Sequence, residues 1–196
     1  MGVVSPHLEG VSADKTVNDW AEHGAWFAEG KKIEVPDGVS AREWLAEYFF
    51  KQYSEEYKTD LASYSTRSEV MDSILYSLFP NLAPWAGFHP NLTYRFRPYG
   101  DNHEMCIMEI IVLMRFPEGE ERPADCGVDK LDKDQLFSEA PGLEGGLGKV
   151  FDQDFSNLKM VQRGMKNLIS GEVVLANYQE IRIRHFNQTL DKYVYS

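Results

Sequence analysis

Leu92-Thr93-Tyr94-Arg95-Phe96-Arg97-Pro98-Tyr99-Gly100-Asp101-Asn102-His103-Glu104-Met105-Cys106-Ile107-Met108-Glu109-Ile110-Ile111-Val112-Leu113-Met114-Arg115 is the stretch on which the fold reading turns. Leu92, Tyr94 and Phe96 alternate with Thr93, Arg95 and Arg97, the period of a strand with two unlike faces. Gly100-Asp101-Asn102 marks a turn, and the run from Glu104 to Arg115 is rich in Ile, Val and Met, so the whole predicts a β-hairpin. With Arg97 opposite Glu104 across that turn, the two charges share a face in a surface contact of about 0.2–1 kcal/mol. Glu109 stands alone among Ile107, Met108, Ile110 and Ile111 and is read as an outward-facing strand residue rather than a buried catalytic acid.

Helical signals flank the hairpin on both sides. Before it, Pro36-Asp37-Gly38 forms a turn and Ser40 with Glu43 a capping box. Trp44, Leu45, Tyr48, Phe49 and Gln52 then recur at helical spacing and predict a helix over about 41–57. Thr66 with Glu69 starts a shorter one, followed by a strand over Tyr76-Ser77-Leu78-Phe79 that ends at Pro80-Asn81. Residues 1–35 hold single aromatics (Trp20, Trp26, Phe27) between Gly24 and Gly30 and read as loop-rich. After the hairpin, Phe116 to Lys149 is a long Gly-, Pro- and acid-rich connection with at most one helical turn. Its end, Gly142-Leu143-Glu144-Gly145-Gly146-Leu147-Gly148-Lys149, is not a phosphate loop, because Val150 stands where the Ser or Thr that binds the metal is needed. Its glycines are read as a tight turn into the next helix. Two helices close the chain, Phe151 to about Asn167 and about Ala176 to Tyr193, the latter with Ile183, Phe186, Leu190 and Tyr193 as its apolar stripe. Helices, antiparallel strands and then more helices predict an α+β fold.

Composition narrows the function. The 196 residues are 43% hydrophobic and 26% charged, enough apolar material for a core. Thirty-one acidic against twenty basic residues give a net charge of −11, which disfavours nucleic acid and anionic membranes. Cys106 and Cys126 are too few for a disulfide framework, no apolar run approaches the roughly 20 residues of a membrane span, and the first residues lack a signal pattern. The expected compartment is the cytoplasm.

One acid stands out. On a helix starting at Phe151, the residues Phe151, Phe155, Leu158, Gln162 and Met165 share a face, and Asp154 falls among them, whereas Asp152 and Lys159 lie elsewhere. A carboxylate on an apolar face needs a compensating cation or a metal. In a first turn it can instead cap the helix or offset the positive helix end. Spacing does not choose between these roles.

The segment Phe-Asp-Gln-Asp-Phe-x-Asn-Leu-x-x-Val-Gln-x-Gly-Met at 151–165 resembles the C-terminal region of the large (α) subunits of Rieske non-haem iron ring-hydroxylating oxygenases. Further likeness lies in Leu78-Phe79-Pro80-Asn81, Tyr94-Arg95-Phe96-Arg97-Pro98, Met108-Glu109, the tail Tyr178-Gln179-Glu180-Ile181-Arg182-Ile183-Arg184-His185-Phe186, and Leu190-Asp191-Lys192-Tyr193, in the family's order. The resemblance implies a helix-grip (Bet v1/START-like) catalytic domain. It also implies that Asp154, in Asp-x-x-Asn-Leu, is the carboxylate of a 2-His-1-carboxylate triad on mononuclear Fe(II), where O2 meets an aromatic or other apolar substrate. Phe79, Asn81, Trp85, Phe88 and Phe155 are the candidate substrate contacts. Electrons would come from a reductase or ferredoxin through a Rieske [2Fe–2S] centre, in α-subunit trimers, some with a small β subunit.

Against that pattern the chain lacks the Cys-x-His and Cys-x-x-His pairs of a Rieske cluster and any pair of histidines a few residues apart. His7, His23, His89, His103 and His185 are isolated. The expectation is therefore that residues 1–196 form the C-terminal part of an α-subunit catalytic domain, with the Rieske domain and two iron ligands outside it, and that they are inactive alone. Two other functions fit. One is a helix-grip carrier of a hydrophobic small molecule, which Asp154→Ala would leave intact; the other is an interaction fragment that completes a partner chain.

Overall fold

The computed structural model describes residues 11–24, 32–88, 91–143 and 146–196. His7, Trp26, Phe27, Gly30, His89, Glu144 and Gly145, singled out above, lie outside the described residues, as do the side chains of Trp20 and His23. The chain divides into two compact units, residues 1–122 and 123–196.

The first unit is built on α2 (Ala41–Glu56), which begins at the capping box: the Ser40 hydroxyl accepts from the Glu43 N–H, and the Glu43 carboxylate accepts from the Ser40 N–H. Its Leu45, Ala46, Phe49, Phe50 and Tyr53 are buried and meet Val17, Leu61 and Val70 in one core. Leu45 and Val17 are fully buried. Val17 comes from α1 (Ala13–Gly24), a helix in the region read as loop-rich. Polar residues fix this helix in place. Asn18 donates to the Ile33 carbonyl and accepts from the Ile33 N–H, each at 2.8 Å, and Asp14 accepts from the Val35 N–H at 2.5 Å. Short α3 (Arg67–Met71) carries the second capping box, between Thr66 and Glu69, and the bidentate Arg42–Asp72 pair at 2.7 Å ties its end to α2.

Four antiparallel strands follow in simple succession: β1 (Ile74–Leu75), β2 (Leu82–Ala86), β3 (Leu92–Tyr99) and β4 (Asn102–Val112). The expected strand at 76–79 lies earlier, at β1; of those residues, Leu78 forms only an isolated bridge to Leu82, and the Phe79–Pro80 peptide is cis.

The hairpin forms as predicted, with a different register. Continued unbroken, the Tyr99–Asn102 pairing would set Arg97 opposite Glu104. An irregularity between Pro98 and Tyr99 shifts the pairing, so Arg97 faces Ile107 and Arg95 faces Glu109. Pro98 has no N–H to give the ladder, a natural place for it to break. Both arginines bond the Glu109 carboxylate, Arg95 through Nε and Arg97 through Nε at 2.8 Å. The Arg95 bond first, and then Arg97, hold the Glu109 carboxyl below the usual carboxylate range. Its contribution to stability is complete above the ordinary Glu value and disappears as pH falls through the lowered one. Glu109→Gln should therefore lower the urea midpoint at pH 7 slightly, and the difference should vanish toward pH 3; a constant gap across that range would contradict this ion triad.

The second unit starts in the long connection, which holds two 3-10 turns rather than one, Phe137–Glu139 and Pro141–Leu143. Three helices follow: α4 (Gly146–Phe155), α5 (Leu158–Lys166) and α6 (Ile181–Val194). The single helix expected from Phe151 to Asn167 is two. The Ser156 hydroxyl donates to the Gln153 carbonyl, and Asn157 takes the N-cap position of α5 without a side-chain capping bond, so the ladder breaks between the two helices. α4 packs through Phe151 and Phe155, whose ring centroids lie 5.6 and 5.2 Å from that of Phe137. Gly148 allows this approach, since a Cβ there would sit 2.7 Å from the Ser138 Cα and 2.8 Å from the Leu143 carbonyl oxygen. The final helix starts at Ile181 rather than near Ala176, and its Ile183, Phe186, Leu190 and Tyr193 are exposed. Among the described residues no helix is long and apolar enough to cross a membrane.

Candidate functional site

Asp154 lies in the last turn of α4, not the first turn of a helix, because α4 begins five residues before Phe151. Capping and compensation of the positive helix end, the two structural roles open to it in the sequence, are thereby removed. A carboxylate near a helix C-terminus instead opposes the local dipole. Asp154 is exposed rather than turned to the apolar side, and none of the described residues gives it a hydrogen bond or ion pair. The inward acid of α4 is Asp152, whose Oδ1 accepts from the Phe137 N–H at 2.6 Å and the Ser138 N–H at 3.4 Å. The expected helical face was drawn from Phe151 onward. Packing on Phe137 and Ser138 rotates the buried arc, bringing Asp152 to its edge and leaving Asp154 outside.

The candidate substrate contacts divide between the two units. Phe155 belongs to the second, in the ring cluster with Phe137 and Phe151. The other four belong to the first. Phe79 is half-buried beside the cis peptide. Asn81 acts as a tie between strands: its side chain donates to the Phe96 carbonyl at 2.9 Å, and its own carbonyl accepts from the Phe96 N–H at 2.9 Å. Trp85 meets Tyr94 edge to face at 6.3 Å, and its buried Nε1 finds no acceptor among the described residues. Phe88 stacks on Tyr53 at 5.6 Å, in line with the stacked pair Phe49–Tyr53.

Phe88 also borders an open cleft of about 560 Å³ within the first unit. Tyr57, Leu61, Tyr64 and Phe116 form its other walls, together with Arg115. The Arg115 guanidinium lies over the Phe88 ring, 4.2 Å from its centroid, and donates to the Gly87 carbonyl at 2.7 Å. Gly87 makes that arrangement possible: its φ of +89° and its approach to the Glu69 carbonyl leave no room for a side chain. The sequence offers no cue for this cleft, since Arg115 reads there only as the polar end of an apolar strand.

Among the described residues no three His, Cys, Asp or Glu side chains converge as a metal site. His103 and His185 are exposed. These residues do not by themselves fit a ferrous ion. Glu109 is held by two arginines, Arg95 and Arg97, on one face of the sheet.

The sequence model of a family described as the ring hydroxylating alpha subunit (catalytic domain) matches residues 5–196. Comparison with curated proteins and with solved structures found no match.

Proposed function

The chain belongs to the ring-hydroxylating α-subunit family through its catalytic domain, and from that membership we propose that it contributes one ligand, Asp154, to a mononuclear ferrous centre whose two histidines lie outside these 196 residues. The family is one of oxygenases, its members use non-haem iron, and the mixed helix and antiparallel sheet of this chain agree with its fold class. Asp154 carries the proposal because it fills the acid position of Asp-x-x-Asn-Leu inside the matched segment while the local structure gives it no other task. The support is the motif together with that lack of a structural role; it does not come from burial. A ferrous ion with open coordination positions supplies the O2 chemistry of such centres.

The substrate of this reading is an aromatic or other apolar molecule, contacted by residues drawn from Phe79, Asn81, Trp85, Phe88 and Phe155. Electrons reach the centre from a reductase or ferredoxin through a Rieske [2Fe–2S] cluster. The complete catalytic domain is a helix-grip fold, assembled as a trimer in the cytoplasm, and residues 1–196 form its C-terminal part with the Rieske domain elsewhere. A single carboxylate is a poor ferrous site. The 196-residue polypeptide is thus expected to bind added Fe(II) weakly and below one equivalent, with no hydroxylated product under O2 and a chemical reductant. A tight one-to-one ferrous site in that titration would overturn the assignment of two ligands to chain outside it.

A further inference from the structure

We infer that Asp37–Gly38 is a site of spontaneous covalent modification: its peptide link passes from the α-carboxyl to the β-carboxyl of Asp37, with no enzyme or cofactor, and so loosens the entry to α2. The site lies within the first unit and shares no residue with the iron reading, so the two are tested separately.

Sequence, exposure and tethering converge on this turn. Asp37–Gly38 is the one Asp–Gly step in the 196 residues, and the chain has no Asn–Gly. Gly38 has no Cβ to shield its nitrogen, and nothing lies within 4 Å of where one would stand. Asp37 is exposed, and no described residue gives its side chain a hydrogen bond or ion pair. The turn is closed by the Val39 N–H on the Pro36 carbonyl at 3.1 Å, a bond that does not engage the Gly38 N–H. Asp72–Ser73, also an aspartate before a small residue, is the contrast. Both oxygens of its carboxylate are on the Arg42 guanidinium at 2.7 Å, and one also accepts from the Ser68 hydroxyl at 2.6 Å, so it cannot bend back onto its own chain.

The turn also links two fixed points. Upstream, Ile33 and Val35 are bonded to Asn18 and Asp14 of α1. Downstream, Ser40 closes the capping box of α2. Any backbone atom added between them has to be absorbed over residues 36–39.

The step needs only water. The Gly38 nitrogen attacks Cγ of the protonated Asp37 carboxyl; a C–N bond forms, the C–O bond to the hydroxyl breaks, and that hydroxyl leaves as water with the Gly38 amide proton. Water then opens the cyclic imide. Addition at Cγ restores aspartate, whereas addition at the main-chain carbonyl of Asp37 breaks its bond to the Gly38 nitrogen and frees an α-carboxylate. Nothing is oxidised or reduced, the mass is unchanged, and the β-linked backbone is longer by one carbon.

The test holds the purified chain for weeks at neutral pH and physiological temperature. It is then treated with labelled S-adenosylmethionine and an isoaspartyl methyltransferase, which esterifies the freed α-carboxylate, and is mapped with trypsin. Label is expected in the tryptic peptide Ile33–Arg42, whose one aspartate is Asp37. Gly38→Ala should lower it at least about tenfold by crowding the attacking nitrogen. Asp37→Glu, whose ring would be one atom larger, should abolish it. In a tryptophan-fluorescence urea melt the aged wild type should unfold at lower urea than the fresh protein, and aged Asp37→Glu should not. Absence of label from that peptide, label chiefly on another aspartate, undiminished label in Asp37→Glu, or a heavily labelled wild type that melts like the fresh protein would each overturn the proposal.

Discussion

Leu45→Ala is expected to destabilise the first unit by about 3 kcal/mol, within the range of about 2–5 measured for buried Leu truncations. Leu45 is fully buried, at the centre of the cluster that joins α1, α2 and α3. Its neighbours are rings and branched side chains anchored on three helices, and two capping boxes and the Arg42–Asp72 pair hold α2 and α3 in register. Such a site collapses poorly around a lost isobutyl group, so a cavity cost adds to the transfer term of roughly 1.5–3 kcal/mol. All four tryptophans, at positions 20, 26, 44 and 85, fall in the first unit. A fluorescence-detected urea melt therefore reads that unit alone. A shift below about 1 kcal/mol would show that Leu45 is not packed as described.

Gly87→Ala should cost a similar amount, about 3 kcal/mol, by a different route. Its φ of +89° is unfavourable for any residue with a Cβ, and the added carbon would lie 2.5 Å from the Glu69 carbonyl oxygen and 3.3 Å from that of Asp72. Both obstacles are backbone and cannot swing aside. The Glu69 oxygen also accepts the Phe88 N–H at 2.8 Å, so relieving the clash displaces the residue on which Arg115 rests. Gly38→Ala supplies the control, with a φ of +80° and nothing within 4 Å of where its added carbon would lie. It carries the conformational penalty alone, about 1 kcal/mol. A melt in which the two variants fall equally would remove the steric part of this account, whereas a wider loss in Gly87→Ala is the expected pattern.

What could be read from the sequence was local. The Ser40–Glu43 and Thr66–Glu69 boxes and the Leu92–Arg115 hairpin depend on residues a few positions apart, and each formed. Helix α1 escaped because, among its described residues, Val17 is the one buried apolar side chain, next to buried Thr16, and long-range bonds from Asn18 and Asp14 secure it. Strand β2 escaped because Pro84 lies inside it; the Pro84 carbonyl still accepts from the Tyr76 N–H, leaving only a donor missing from the ladder.

The candidate site was legible as a motif and not as geometry. Periodicity counted from Phe151 put Asp154 inward, but the ring of Phe137 and the backbone at Ser138, more than ten residues away, decide which arc of α4 is buried. The glycine-rich stretch was read as a turn ahead of the helix, but Gly146 and Gly148 lie inside α4, and what demands a glycine at 148 is a distant backbone. Arg115 gained its place over Phe88 through a turn at Gly87 that no periodic pattern encodes.

The central claim is that Asp154 ligates iron, and the most direct measurement is iron content per chain in the protein isolated from its own source, with any chain encoded alongside it. The wild type and Asp152→Asn, which keeps an acceptor for the Phe137 and Ser138 N–H groups, are expected to hold about one mononuclear iron each. Asp154→Ala, with an unchanged circular dichroism spectrum, is expected to hold almost none. Retention of the full iron content by Asp154→Ala would contradict the account.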